Sequence, residues 1–330
     1  MKYSIIVPVY NRPDEVDELL QSLCEQTVKD FEVLIVEDGS VKPCKDVCDK
    51  YANILDLHYY AKENSGPGQS RNYGAERSNG EWLIILDSDV VLPKDYLWNV
   101  ESGMRNENSL AAWGGPDASH PSFTPVQKAI SYSMTSFFTT GGIRGGKAKL
   151  DKFYPRSFNM GIRRDVYLQL GGFSKMRFGE DIDFSYRIVE AGHMPRLFPD
   201  AWVWHKRRTD FRKFFRQVYN SGIARINLEK RHPGTMKLVH LLPTVFTLVV
   251  IGLLLITLLF PLACVPIILY SLIICIDSSI KNKSLWVGML SIPAAFVQLM
   301  GYGFGFIESW WKRCVLKQSE FTAFEKNFYK

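Results

Sequence analysis

Short apolar runs alternate with amphipathic stretches through the first part of the chain. Tyr3–Val9 is a β-rich apolar run, and Pro8 near its end suits a sheet edge or a strand terminus. Pro13 then sits where a helix would begin. Val16, Leu19, Leu20 and Leu23 recur at helical spacing and give that helix one apolar face. Residues 31–36 predict a second strand, ending at Glu37-Asp38-Gly39-Ser40. Residues 44–51 suit a short helix, and residues 55–60 alternate like a third strand. Residues 69–78 read as a helix after the turn-rich Asn64-Ser65-Gly66-Pro67-Gly68, and residues 82–86 as a fourth strand. Strands alternating with helices predict βαβ units, hence an α/β fold with a mostly parallel sheet. Right-handed crossovers then line the strand C-termini along one edge, where open α/β sheets bind ligands. Tyr10-Asn11, Asp38 and Asp87-Ser88-Asp89 all fall at such ends. Residues 92–158 are less regular. Within them, Gly141-Gly142-Ile143-Arg144-Gly145-Gly146 predicts a flexible loop, a candidate lid. It is not a Walker loop, because no Gly-Lys-Ser/Thr follows. The chain has no repeats and no low-complexity segment.

The second half changes character. Residues 238–276 and 284–307, 39 and 24 residues long, contain no Asp, Glu, Lys or Arg. A spanning helix needs about 20 apolar residues. The first segment fits a hairpin of two helices broken near Pro261 or Pro266, and the second fits one more span. Charge is concentrated just before them. Residues 206–237 hold ten Lys or Arg against Asp210 and Glu229, in a chain whose net charge is +6. A basic stretch adjoining an apolar one reads as a contact with anionic lipid rather than with nucleic acid. The N-terminal run is a strand pattern with no signal-peptide character. The N-terminal domain is therefore expected in the cytosol, as the positive-inside rule would have it. Three spans would carry Lys312-Arg313 and Lys317 to the far side, against that rule, so two or three spans both stay open. Six cysteines (24, 44, 48, 264, 275, 314) lack a second Cys or His pair for a zinc site and read as reduced thiols.

Two acidic motifs carry the chemistry. Asp87-Ser88-Asp89 follows a fully apolar strand, and a carboxylate pair there can hold a divalent cation on a diphosphate. Glu180-Asp181 follows Gly171-Gly172-Phe173 and opens a helix-like stretch. A carboxylate there can take a proton from an incoming hydroxyl, or simply favour the helix N-terminus. Together they suggest transfer of a group from a nucleotide diphosphate to an alcohol.

The run Ser4-Ile-Ile-Val-Pro-Val-Tyr-Asn11 is followed by Val36-Glu-Asp-Gly-Ser40, by Gly66 with Ser70-Arg-Asn72 and Gly74, and by Leu86-Asp-Ser-Asp89. Asn159-Met-Gly-Ile-Arg163, Gly171-Gly-Phe173 and Gly179-Glu-Asp181 come next in order. On these residues, over roughly 3–205, the chain resembles family 2 glycosyltransferases of the GT-A fold, with a C-terminal membrane anchor. The resemblance implies a nucleotide site at Pro8, Tyr10, Asn11, Asp38, Arg71 and Asp87, with Tyr10 against the base and Asp38 on its imide. A ring at Tyr10 can stack and a carboxylate can accept an imide N–H, although a packing Tyr and a turn Asp would fit the same positions. Arg71 reads as a base or phosphate contact or as a salt bridge. The resemblance further implies Mg²⁺ or Mn²⁺ on Asp89, with Asp87 toward the ribose or a water-mediated metal contact. His205 is a candidate third metal ligand or an ordinary packed histidine. Asp181 becomes the general base, with Asp183 its competitor, and Glu180 and Asn159 are assigned to the acceptor or sugar.

Processive relatives carry Gln-x-x-Arg-Trp where this chain has Gln217-Val-Tyr-Asn, so addition of a single sugar is expected. The reading is an inverting transfer from a nucleotide-diphospho-sugar, UDP-sugar favoured, to a glycan or lipid-linked hydroxyl at the inner or plasma membrane. Residues 1–205 form the catalytic domain, 206–237 basic interfacial helices, 238–307 the spans and 308–330 a tail. A nucleotidylyltransferase is disfavoured by Val-Pro-Val-Tyr-Asn where a Gly-rich loop would stand. A non-catalytic sugar-nucleotide-binding scaffold is disfavoured by the intact acids.

Overall fold

The computed structural model describes the 330 residues apart from 106, 108, 121, 142–152, 207 and 324–330. Residues 142–146 of the glycine-rich loop expected as a lid therefore lie outside the described residues. The chain forms two compact units, one of residues 1–120 and 150–206, the other of 121–149 and 207–330. In order it runs β1 (Tyr3–Val9), α1 (Pro13–Cys24), β2 (Phe31–Asp38), α2 (Lys45–Tyr51), β3 (Leu57–Lys62), α3 (Pro67–Arg77) and β4 (Trp82–Leu86). Next come β5 (Val90–Val91), α4 (Tyr96–Met104), β6 (Ala112–Gly114) and β7 (Asp117–Ala118). Helices α5 (Pro125–Thr135) and α6 (Phe137–Thr140) belong to the second unit. The first unit resumes with β8 (Asn159–Arg163), α7 (Arg164–Gln169), α8 (Glu180–Glu190), β9 (Arg196–Leu197) and β10 (Val203–His205). The second closes with α9 (Phe211–Arg231), α10 (Leu242–Thr257), α11 (Val265–Asn282) and α12 (Leu285–Trp310).

In the first unit a seven-stranded sheet has the order β3-β2-β1-β4-β8-β6-β9. The first four strands are parallel; β8 is antiparallel to both β4 and β6. Every residue of β1, β2 and β4 is buried, because helices cover both faces. Alternation along β1 sends Ile5, Val7 and Val9 to the side packed by Val16, Leu19 and Leu20 of α1. Ile6 turns the other way, toward Ala75, Phe173 and Phe184. The ladder from β1 to β4 ends at Ile6↔Ile85, so Pro8, two residues on, removes no donor from it. Strand order reverses direction between β1 and β4, and such a switch point opens a crevice outside the strand C-termini. A second sheet, β5-β10-β7, sits just past the end of β4. The two-residue strands β5 and β7 were too short for periodicity to reveal.

The second unit is helical. Three of its helical segments, Leu238–Thr257, Pro261–Asn282 and Leu285–Val315, are long and apolar enough to cross a membrane. The break between the first two, residues 258–260, directly precedes Pro261, near where the prolines predict it. The first two are only 11% buried over their most apolar stretch, and the third is 50% buried. The third packs against α5, α9, α10 and α11. Glycines permit its close crossing with α9: a Cβ on Gly305 would lie 2.0 Å from the Tyr219 carbonyl oxygen, and one on Gly222 would lie 2.2 Å from that of Tyr302. Residues 211–231 of the basic segment form one helix of 21 residues. Arg216 and Arg225 on it are buried, and Arg231 pairs with Glu320 at 2.9 Å. The sheet unit ends at Lys206, while residues 121–149 group with the helices.

Packing in the sheet unit is tight at Gly161, which lies opposite Trp113 in the β6–β8 ladder. A Cβ there would fall 2.0 Å from the indole, which is itself stacked on Phe198 at 5.3 Å. Gly161→Ala should therefore lower unfolding stability by about 1–3 kcal/mol. Denaturant titration of the detergent-solubilised chain measures this.

Candidate active site

The loops after β1 and β2 are tied together. Asn11 adopts φ 56°, a left-handed conformation that Asn tolerates. Its N–H donates to Ser40 Oγ at 2.7 Å, and its Oδ1 accepts from the N–H groups of Val41 (2.7 Å) and Lys42 (3.0 Å). Glu37 accepts from the Ser40 hydroxyl and, at 2.7 Å, from the Cys44 N–H, which is a structural role. Pro8 is buried within β1. Tyr10 is half-buried just beyond it. Asp38 ends β2 at 4% exposure. It accepts from Lys62 Nζ at 2.5 Å and from the N–H groups of Ser65 and Gly66 at 2.9 Å, so it also shapes the turn before α3.

At the end of β4 the chain turns through Asp87-Ser88-Asp89 and re-enters extended structure at β5. There Val90 pairs with His205 across an antiparallel ladder. The Lys206 N–H donates to the Asp89 carbonyl at 3.0 Å. This register sets His205 Nε2 3.2 Å from Asp89 Oδ1. The imidazole stacks on Phe158 at 5.0 Å, and its Nδ1 lies 4.0 Å from Asp117 Oδ2. One ligand atom each from Asp87, Asp89 and His205 falls within 4.8 Å of the others. Two hard carboxylates and one imidazole fit Mg²⁺ or Mn²⁺, the imidazole leaning toward Mn²⁺. At 4.0 Å Asp117 lies beyond hydrogen-bond reach of His205 Nδ1, which has no hydrogen-bond partner among the described residues. A second acid–histidine group, Glu32, Asp56 and His58, lies near the opposite strand ends. Its Glu32 already accepts from Ser4 and Asn79, at 2.6 Å each.

Arg71 on α3 is 3% exposed. It donates to Asp87 Oδ1 at 2.7 Å and to Glu180 Oε1 at 3.0 Å. The salt-bridge alternative is thus the one its geometry shows, although the bridge is buried rather than on the surface. The next residue, Asn72, accepts from Tyr167 Oη at 2.6 Å and from the Phe173 N–H at 2.8 Å, which docks the Gly171-Gly172-Phe173 turn on α3. That turn leads to α8, whose first residues are Glu180 and Asp181, each 8% exposed. Asp181 Oδ2 accepts from Arg156 Nε at 2.6 Å. Burial opposes ionisation of Asp181, but the Arg156 charge and hydrogen bond outweigh it and hold the carboxyl below its ordinary range. Glu180 is pushed up to about 7, first by burial and then by the charge of Asp181, against the pull of Arg71. Asp183, the competing base, is 3% exposed and paired with Arg187 at 3.1 Å. Arg187 also holds the carbonyls of Leu170 and Gly172, so Asp183 belongs to the framework.

Asn159 opens β8. It is fully buried, its Oδ1 accepts from Tyr96 Oη at 2.6 Å and its Nδ2 donates to the Ala201 carbonyl at 2.8 Å. Its amide braces β8 against the segment before β10. Two arginines were missed. Arg12 Nη1 donates to Asp89 Oδ2 at 2.6 Å across the switch point, and Arg156 meets Asp181. Arg12 directly follows Tyr10-Asn11, a placement that could have drawn attention to it. Arg156 lies in the irregular stretch with no pattern to mark it.

The family model described as "Glycosyl transferase family 2" matches residues 4–171, just over half of the chain. The chain belongs to glycosyl transferase family 2. An uncharacterized glycosyltransferase of Haemophilus influenzae is 30% identical to this family 2 glycosyltransferase over 200 residues, 57% of this chain and 62% of that protein. A Staphylococcus aureus poly(ribitol-phosphate) β-N-acetylglucosaminyltransferase is 38% identical over 101 residues, 29% of this chain and 18% of that protein. This chain thus spans less than two thirds of either relative. Among solved structures, a mannosyltransferase from Pyrobaculum calidifontis, in complex with GDP-Man and Mn²⁺, superposes with a TM-score of 0.64 at 17% identity. The match covers 94% of this chain and 88% of that one, and at such identity it speaks for the fold alone. The fold is accordingly GT-A-like, with a helical C-terminal region added.

The Glu180 shift makes stability pH-dependent in this glycosyltransferase. A carboxyl whose folded value is raised from 4.5 to about 7 contributes stability in full below 4.5 and loses it as pH rises through 7. Glu180→Gln removes that dependence. Its Tm relative to wild type should therefore climb between about pH 5 and pH 8, read by thermal melts across that range.

Proposed function

We propose that this protein transfers a single sugar, with inversion, from a nucleotide-diphospho-sugar to a hydroxyl acceptor carried by a lipid. The observation that carries the reading is that Asp87, grouped with Asp89 and His205, is joined through Arg71 to Glu180, the neighbour of Asp181. Asp87, Asp89 and His205 would hold Mg²⁺ or Mn²⁺, which when bound neutralises charge building on the leaving diphosphate. Tyr10, Asn11 and Asp38 lie at the two neighbouring strand ends and would receive the nucleoside, Tyr10 by stacking and Asp38 through its carboxylate. UDP is favoured by resemblance, and by the UDP named for one structural relative; the GDP-Man of another keeps GDP in play.

Asp181 acts as the base. Held ionised by Arg156, it accepts the acceptor's hydroxyl proton while that oxygen bonds to the anomeric carbon from the face opposite the diphosphate. The anomeric C–O bond breaks, and its electron pair leaves with the diphosphate. No covalent enzyme intermediate forms. Glu180, next to the base and shared with Arg71, holds the helix start in place and lines the acceptor side. A helical unit with three segments apolar enough for a bilayer supports a multi-pass protein of the inner or plasma membrane acting on a membrane-borne acceptor. The basic residues of 206–237 would lie on the cytoplasmic side with the catalytic unit.

Asp181→Asn should lower transfer by about 10²–10⁴-fold while donor binding is retained. The assay is mass gain on a lipid extract supplied with a panel of nucleotide-sugars, alongside nucleotide binding by calorimetry. Wild-type turnover in a folded Asp181→Asn protein would end the base assignment. Chelation should abolish transfer, and Mn²⁺ or Mg²⁺ should restore it.

A further inference from the structure

We propose that Arg12 is an exchange group. It pairs with Asp89 when no divalent cation is bound and passes to the donor's diphosphate when one is, so that cation and nucleotide reinforce each other's binding. The inference rests on the cation reading of Asp89 given above. Arg12 follows the left-handed Asn11 and caps the start of α1, on the opposite side of the switch point from the Asp87-Ser88-Asp89 turn. Its Nη1 is 2.6 Å from Asp89 Oδ2, while His205 Nε2 lies 3.2 Å from the other oxygen of the same carboxylate. Of the two oxygens, Oδ2 is thus held by Arg12, while Oδ1 faces His205 without a hydrogen bond among the described residues. The two contacts differ in kind. A neutral imidazole can ligate alongside Asp89, but a guanidinium has only donors and carries a fixed positive charge. Arg12 therefore competes with a cation for Asp89 Oδ2, and it repels one bound beside it.

Once Asp89 gives up Arg12, the side chain is left at the strand-end crevice where a diphosphate would lie. It is partly exposed, at 22%, and so has room to turn. Guanidinium forks pair well with phosphate oxygens. The displaced arginine thus loses one anion and gains another only when the nucleotide is present. Cation binding alone carries the cost of breaking the Arg12–Asp89 pair, and the nucleotide compensates for it. By linkage the reinforcement is mutual. Arg71 cannot take this part, because it is buried and anchored on two carboxylates.

The test titrates Mn²⁺ alone into the full chain in detergent, followed by electron paramagnetic resonance, and repeats it with UDP and with GDP. Arg12→Gln should bind Mn²⁺ alone roughly threefold to tenfold more tightly than wild type, the range expected for losing a partly exposed ion pair. It should bind the preferred nucleotide roughly tenfold more weakly at saturating Mn²⁺, so that the coupling shrinks. If Arg12 merely held Asp89 in position for the metal, Arg12→Gln would weaken Mn²⁺ binding instead. Unchanged or weaker Mn²⁺ binding by the folded variant overturns the exchange. Should Arg12→Gln not fold, Arg12→Met, which keeps the length and removes the charge, decides: loss of nucleotide affinity with tighter Mn²⁺ binding supports the exchange, and wild-type values for both overturn it. Asp89→Asn separates the two layers of the argument. If it still binds Mn²⁺ as wild type does, the cation reading itself fails. If it loses Mn²⁺ while Arg12→Gln leaves the affinity unchanged, only the exchange fails.

Discussion

A guanidinium removed from water needs anions around it, and Arg71 finds two that the chain supplies from distant places. Asp87 is 16 residues away and Glu180 is 109. Breaking a buried pair leaves an uncompensated charge, at a cost of about 3–5 kcal/mol. Arg71 therefore fastens the end of β4 to the start of α8. Its flank on Phe173, 5.1 Å from the ring, and the grip of Asn72 on the same turn close the arrangement from the other side. The distance between the Asp87 turn and the Asp181 carboxylate follows from that fastening. Residues quoted together as Ser70-Arg-Asn72 and Gly171-Gly-Phe173 are in this sense two halves of one joint.

Much of this was legible because periodicity and chemistry agreed. The apolar face of α1 was readable from Val16, Leu19, Leu20 and Leu23, and all four are buried. The acids at the ends of β2 and β4 were readable from their position after apolar runs. What escaped notice has a physical cause in each case. β5 and β7 are two residues long, and their pairing with β10 depends on partners more than 80 residues away in the chain. The roles of Asn159 and Asp183 escaped because motif membership does not distinguish a side chain that faces a ligand from one that holds the framework. Only their hydrogen-bond partners do so. Helices α5 and α6 escaped because an insertion between β7 and β8 gives no compositional sign of the unit it joins.

The helical unit shows the same limit for charge. Ten basic residues before an apolar segment suggest a cationic surface, yet two of the arginines are buried and Arg231 is neutralised by Glu320. Charge counted along a sequence overstates the field at a surface, because helices turn part of it inward. Length and apolarity are more robust. Three segments meet the requirement for a span, and the third, half-buried among its neighbours, is the one around which the others pack.

The electrostatics of the sheet edge follow one rule, which bears on the ligand. Asp38 meets Lys62, Asp87 and Glu180 share Arg71, Asp89 meets Arg12, and Asp181 meets Arg156. Five carboxylates thus face four cations, and Glu180, pushed up to about 7, is partly protonated near neutrality. Such an edge is close to balanced before anything binds. A divalent cation entering alone would leave the edge with excess positive charge, and a diphosphate entering alone would leave it with excess negative charge. The two together bring nearly no net charge and ask for no lasting change in the protein's own pairing, only an exchange of partners. A site built from paired acids is in this way suited to a cation and a diphosphate as one load, and the arginines that satisfy the acids beforehand are the groups that set this preference.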